Sequence, residues 1–274
     1  MEDSATSRQK QDMKNCLERK KAMEIDKIIC GDAYELIKAI PDKSIDCIIT
    51  DPPYEYDEKT KWFQSKLSDE TKQSRGGLSE MMKKDSLKDG VRREIMDEWV
   101  RVLKKISIFI FCNKFQLLDY INYFVTERKC NWELLIWAKS NPVPLANGAF
   151  VHDKEYCLNF WEKGAYHRIK DINHGKTVYS IPINQKDSKE FGHPTCKPVS
   201  MVRNFVEIGT QDGMVILDTF MGSGTTAVAC VETNRHFVGF EKNQHWVDVA
   251  NDRIKGITQK DRFPSKGVEQ YFLF

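Results

Sequence analysis

Residues 45–57, IDCIITDPPYEYD, set a short apolar run directly before Asp51-Pro52-Pro53-Tyr54. Two consecutive prolines have no N–H to donate and hold φ near one value, so a strand must end there in a stiff turn. Stiffness matters for chemistry at a weak nucleophile. The lone pair of an exocyclic amine on an aromatic base is delocalised into the ring. Two acceptors that take both N–H hydrogens draw the nitrogen toward tetrahedral geometry and free that pair. The Asp51 carboxylate and the Pro52 carbonyl are such acceptors, held in place by the ring of Pro53. A fixed carboxylate also stabilises the positive charge that grows on nitrogen as a new C–N bond forms. Tyr54 offers a ring face on which a base swung out of its helix can stack, worth roughly 1–3 kcal/mol. Taken alone, the tetrapeptide reads equally well as an Asp-Pro turn beside a packing aromatic.

A second segment, MVILDTFMGSGTTAVAC (214–230), reads as a buried strand, an acidic residue, a glycine turn and a helix. Gly222 and Gly224 permit positive φ and close approach of a ligand, and the helix that follows presents unpaired N–H groups. HFVGFE ends in Glu241, 17 residues after Gly224, where a carboxylate can accept both hydroxyls of a ribose. The pattern suits an adenosine-containing cofactor. It does not by itself separate cofactors, because Gly222, Gly224, Ala227 and Glu241 also satisfy the dinucleotide fingerprint of a nicotinamide or flavin enzyme. A strand-to-helix turn with no ligand is the plainer alternative. Asp218 tips the balance: a diphosphate disfavours a carboxylate at the strand end, whereas the ammonium of a methionine arm is attracted to it.

These residues need a scaffold, and the hydrophobic pattern supplies one. Seven short apolar runs read as strands: 26–30, 45–50, 106–112, 132–138, 155–161, 214–218 and 236–241. Their continuous hydrophobicity predicts strands covered on both faces. Helical periodicity recurs at 33–40, 91–106, 114–128, 199–209, 225–234 and 244–257. The alternation predicts an α/β protein with a mainly parallel sheet, whose ligands bind at the carboxyl ends of the strands. Residues 1–24 read as a polar arm, 55–90 as a mobile loop near the active site, 141–190 as an irregular insert and 258–274 as a tail.

Composition narrows the class. The chain has 274 residues, 41% hydrophobic and 30% charged, with a net charge of +2. No apolar run is long enough to span a bilayer and the first residues lack a signal-peptide core, so a cytoplasmic protein is expected. The eight cysteines show no CxxC spacing and there is no HExxH, so reduced buried thiols and no metal are expected. Any basic surface must be local, and 58–93 and 163–189 are the two candidates.

Three blocks together resemble a known family: Asp51-Pro52-Pro53-Tyr54, His193-Pro194-Thr195-Cys196-Lys197-Pro198, and Asp218-Thr219-Phe220-Met221-Gly222-Ser223-Gly224-Thr225. In identity, order and spacing they are similar to the beta-class, circularly permuted DNA amino-methyltransferases of bacteria and phages, which modify adenine N6 or cytosine N4. The resemblance implies a Rossmann-like methyltransferase fold of seven strands, mainly parallel with one reversed, and S-adenosyl-L-methionine as cofactor. It implies a DNA duplex with a flipped target base as substrate, and leaves a second copy of the chain or a cognate restriction endonuclease as further partners. By position it assigns Asp51, Pro52, Pro53 and Tyr54 to catalysis. Asp32 with Ala33 falls near the cofactor's adenine. Phe220, Gly222, Ser223, Gly224 and Thr225 fall around its methionine and ribose, and Asp218, Glu241, Thr195 and Lys197 contact it as well. Asp32 also reads as a helix N-cap and Lys197 as a solvated lysine at a helix start. Cys196 stands where the family more often has Gln, of little consequence if it faces away. Asp rather than Ser at the head of the tetrapeptide implies adenine, with cytosine N4 or RNA adenine as alternatives. The span 141–190 falls where the group places target recognition. A nicotinamide oxidoreductase would leave residues 51–54 idle, and an inactive nucleic-acid-binding protein would not need an intact acceptor pair.

Overall fold

The computed structural model describes residues 24–54, 90–142, 150–183 and 196–260. Residues 1–23 of the expected arm (1–24), 55–89 of the loop, 143–149 and 184–190 of the insert, Thr195, and 261–274 of the expected tail (258–274) lie outside the described residues.

All seven apolar runs form strands: β1 (Lys27–Cys30), β2 (Cys47–Thr50), β3 (Ser107–Cys112), β4 (Asn131–Ala138), β5 (Lys154–Trp161), then, after a short extra strand β6 (Val178–Ser180), β7 (Val215–Asp218) and β8 (His236–Glu241). They make one sheet in the order β1-β8-β7-β2-β3-β5-β4-β6. The sheet therefore has eight strands among the described residues, one more than the resemblance implied. The addition, β6, pairs parallel with β4 at the edge, and three residues are too few to announce themselves by pattern. β5 is the reversed strand, antiparallel to both β3 and β4. The late strands β7 and β8 lie between the early strands β2 and β1, as the permuted order requires.

Strand alternation divides the core in two. Ile48, Ile108, Ile110, Leu217 and Phe240 face one layer with α2 (Arg93–Val102) and α3 (Leu117–Ile121). Ile49, Phe109, Phe111 and Ile216 face the other, with α4 (Val199–Gly209), α5 (Thr225–Glu232) and α6 (Gln244–Lys260). Phe109 stacks on Phe205 of α4 with centroids 4.9 Å apart. Both faces of β2, β3, β7 and β8 are covered, which is why these strands read as unbroken apolar runs.

Two helical patterns are cut short for local reasons. The helix expected over 33–40 is α1 (Ala33–Leu36) followed by a 3-10 turn, Ile37–Ala39. Pro41 comes next, and the residue before a proline is driven out of the helical region; Ile40 has φ −71° and ψ 129°. The pattern 114–128 begins only at Leu117, because the Asn113 side chain turns back to accept from the Phe115 N–H at 3.0 Å, and it continues as a π-turn, Asn122–Glu127.

Among the described residues six of seven cysteines are buried and Cys30 is exposed. No helix there is long and apolar enough to cross a membrane, and no three metal-ligating side chains cluster.

The insert 141–190 is split by the reversed strand. β4 ends at the same sheet edge as β2 and β7, so residues 139–142 and 150–153 lie there. β5 runs to the opposite edge, and 162–177 stay at that far end, where the Arg168 N–H donates to the Ile208 carbonyl of α4 at 3.0 Å. β6 then returns the chain, placing 181–183 beside the carboxyl edge again.

Candidate active site

β2 and β7 are neighbours and parallel, with Cys47 opposite Ile216 and Ile48 opposite Leu217. Their carboxyl ends deliver Asp51 and Asp218 to one side of the sheet. The Thr50 hydroxyl donates to Asp218 Oδ1 at 3.0 Å and lies 3.2 Å from the Thr219 hydroxyl, which in turn accepts from the Trp99 indole N–H. The proline-stiffened turn and the glycine turn are thus side by side.

The glycine turn is built as its sequence demands. Gly222 and Gly224 have φ of 53° and 86°, and Gly224 caps α5 in the left-handed region. Gly224 has a second reason to be glycine: a Cβ there would sit 2.7 Å from the Cβ of Ala250 on α6. The Gly222 N–H donates to Glu241 Oε2 and the Asn243 N–H to Oε1, both at 2.9 Å. These two bonds hold the carboxylate in place beside the glycine turn. Asp32 and Ala33 lie across from it, because the Gly31 N–H donates to the Glu241 carbonyl at 2.9 Å. Asp32 caps α1, accepting from the Tyr34 N–H at 2.9 Å, while Ala33 is buried. Phe220, at the start of the glycine turn, is partly buried and packs against the first core layer.

Asp218 is buried and fully engaged. Besides Thr50 it accepts from the Phe220 N–H at 3.0 Å and the Thr226 hydroxyl at 2.6 Å. Burial pushes its carboxyl up to about 7 despite these bonds. Ser223 and Thr225 are buried too, and Arg253 of α6 donates to the Ser223 carbonyl at 3.1 Å and lies 3.3 Å from the Thr225 hydroxyl. Cys196 does not face away: its Sγ lies 3.2 Å from the Ser223 hydroxyl, so it packs on the glycine turn.

Lys197 departs from the picture of a solvated lysine. It is buried, and its ammonium is hydrogen-bonded to Asp51 Oδ2 and lies 3.2 Å from Glu155 Oε2. The same ammonium is 5.6 Å from the ring centre of Tyr54 and 5.0 Å from that of Phe111. Its backbone carbonyl is 3.5 Å from the Thr225 hydroxyl, so one residue touches both turns. The Tyr54 hydroxyl donates to Glu155 Oε2 at 3.3 Å, and Lys139 binds the other Glu155 oxygen at 2.6 Å. Gln116 donates to the Pro53 carbonyl at 2.9 Å, pinning the turn from α3.

This leaves Asp51 Oδ1 buried and without a hydrogen-bond partner among the described residues. A buried orphan acceptor is costly and calls for an explanation. Burial raises the Asp51 carboxyl above its ordinary value; Lys197 pulls it back and Glu155 adds to the rise. Burial would raise Glu155 as well, but Lys197 and Lys139 outweigh it and hold Glu155 down at about 2. Burial opposes the Lys197 charge, yet its two carboxylates more than compensate and keep it cationic.

Glu155, Lys139, Gln116 and Thr50 were not among the candidates from sequence. Glu155 carried a faint mark as the charged residue that opens an otherwise apolar strand; the others carried none.

Architecture and comparisons agree on the class: a Rossmann-like methyltransferase fold with a mostly parallel sheet. The chain belongs to the DNA methylase family of N6- and N4-methyltransferases, whose family model matches residues 45–252. It is similar to the type II methyltransferase M.HinfI of Haemophilus influenzae, 29% identical over 255 residues that cover 84% of this chain and 68% of the relative. It is also similar to the type II methyltransferase M2.DpnII of Streptococcus pneumoniae, 26% identical over 250 residues, covering 83% and 89%. Among solved structures, a complex of M1.HpyAVI with SAM superposes with a TM-score of 0.60 at 25% identity, covering 83% of this chain and 98% of that one. PvuII DNA methyltransferase, described as cytosine-N4-specific, has the same fold, with a TM-score of 0.59 at 16% identity over 85% of this chain and 91% of its own.

Proposed function

We propose that this DNA methyltransferase acts on N6 of adenine in duplex DNA at a specific short site, with S-adenosyl-L-methionine as methyl donor. The observation that carries the reading is the partnerless Asp51 Oδ1 beside the glycine turn. The fold does not choose between the bases, since a structure described as cytosine-N4-specific shares it. The choice of adenine rests on Asp51 at the head of its tetrapeptide.

The residues present fit the cofactor. Glu241, anchored by two backbone N–H groups, suits a vicinal diol, with Asp32 and Ala33 flanking the adenine side. Phe220, Gly222, Ser223, Gly224 and Thr225 line the turn, and Asp218 provides negative charge where the methionine ammonium belongs. Thr195, which lies outside the described residues, is assigned to the cofactor by the family resemblance alone. When bound, the sulfonium supplies an electrophilic methyl group. The remaining work falls to the chain's own groups. Asp51 Oδ1 and the Pro52 carbonyl take the two amine hydrogens, Tyr54 stacks on the base, and the Asp51 charge stabilises the nitrogen as it becomes cationic. Target recognition is assigned to the part of 141–190 that returns to the carboxyl edge.

The test is incubation with labelled cofactor and either duplex DNA or RNA, followed by digestion to nucleosides. N6-methyldeoxyadenosine is expected. N4-methyldeoxycytidine would overturn the base assignment, and label only in RNA would overturn the substrate.

A further inference from the structure

Four buried or half-buried charges alternate in a row: Asp51, Lys197, Glu155 and Lys139. They come from the loop after β2, the approach to α4, the start of β5 and the end of β4. Glu155 is the only one of these to touch three of the others' elements, since Tyr54 also donates to it. The ammonium of Lys197 cannot give its full charge to Asp51 while Glu155 holds it at 3.2 Å. Lys197 and Lys139 together keep Glu155 ionised in a place where burial disfavours it.

We propose that Glu155 is a positioning residue for methyl transfer: by sharing Lys197 with Asp51, it fixes the carboxylate that grips the amine and leaves negative charge on it. The inference rests on the proposed role of Asp51. Were Lys197 to pair with Asp51 alone, the carboxylate would be closer to neutralised and a poorer partner for a nitrogen gaining charge. Tyr54, which stacks on the base, would lose its hydroxyl anchor at the same time.

Glu155→Gln tests this, because it keeps the shape and removes the charge. Single-turnover methylation at saturating DNA and cofactor should fall on the order of 10- to 100-fold, with S-adenosylhomocysteine affinity within about three-fold of wild type. A packing role would not move the pH profile, but a charge-sharing role must. Asp51 faces Lys197, Glu155 and Tyr54, the Cys112 and Cys157 thiols, Tyr120 and Asp218. The thiols and phenols stay neutral in the working range, and Asp218 contributes equally to both enzymes. Losing the Glu155 charge removes a neighbour that raises Asp51, so the acidic limb should move to lower pH. Lys197→Met removes the neighbour that lowers it, so the limb should move the other way. Glu155→Asp withdraws the charge by one methylene, so it should lose less rate and move the limb part of the way toward that of the Gln variant. It carries the test if the Gln variant does not fold, and a slow Asp enzyme with an unmoved limb then overturns the proposal. Full rate in either Glu155 variant, or a slow Gln variant with an unshifted limb, overturns the proposal. No methyl transfer by the wild type would instead refute the proposed function itself.

Discussion

The Thr50 hydroxyl donates to Asp218 Oδ1 at 3.0 Å across neighbouring parallel strands whose residues lie 168 positions apart. That bond ties the amine-gripping turn to the cofactor turn, and it is one of three holding a buried carboxylate. Thr50→Val keeps the shape and deletes the donor, leaving Asp218 less well satisfied. The expected cost is about 1–3 kcal/mol of stability, read from the denaturant midpoint, together with weaker S-adenosylhomocysteine binding. Unchanged values for both would show that the bond is incidental.

Asp218 also predicts a pH dependence. Its folded-state carboxyl stands at about 7, above the ordinary value of 3.8. The folded protein therefore holds a proton that the unfolded chain has released between those limits, and stability falls as pH rises through that window. Cofactor binding should move oppositely, because the ionised carboxylate attracts an ammonium. S-adenosylhomocysteine affinity, measured by calorimetry, should rise from pH 6 to 8 in wild type and be flat in Asp218→Asn. A slope retained by the variant would place the titrating group elsewhere.

Asp51→Asn keeps an acceptor oxygen but removes the charge. Methyl transfer should drop at least about 100-fold, while S-adenosylhomocysteine affinity stays within a few-fold. Activity near wild type would mean that the orphan acceptor has another purpose.

Gly224 sits at φ 86° with its missing Cβ directed at Ala250. Gly224→Ala should destabilise by about 1–3 kcal/mol through strain and overpacking. Adding Ala250→Gly should recover only part of that loss, because it relieves the clash and not the dihedral. Full recovery, measured by thermal melting, would mean that backbone strain contributes nothing.

The central strands β2, β3, β7 and β8 were legible because coverage on both faces leaves an unbroken apolar run. β6 was not, since Val178–Ser180 is a three-residue edge strand with two of its residues exposed. Asp51, Asp218 and the glycines were legible because each works within a contiguous motif whose spacing is set by local backbone geometry. Glu155 and Lys139 act through register instead: β4 and β5 pair so that Trp137 lies opposite Glu155, and no one-dimensional pattern reports that. Lys197 was singled out by its motif, but nothing in the motif reports that its ammonium lies with the carboxylates of Asp51 and Glu155.

One of the two basic stretches lies partly away from the turns. Arg168 and Lys170 belong to a basic stretch but lie at the far edge of the sheet, where Lys170 pairs with Glu207. Arg168→Gln and Lys170→Gln should leave DNA affinity and its salt slope within error of wild type. A shallower slope would move the DNA footprint to that edge.

The interleaving of late strands among early ones has a consequence for biosynthesis. Until residues 214–241 leave the ribosome, β1 and β2 have no partner between them, and each carries a raw hydrogen-bonding edge. The nascent chain must wait, half-assembled, for its centre to arrive. Translation stalled short of that point yields a product with neither a closed sheet nor a place for the methyl donor, and one prone to self-association.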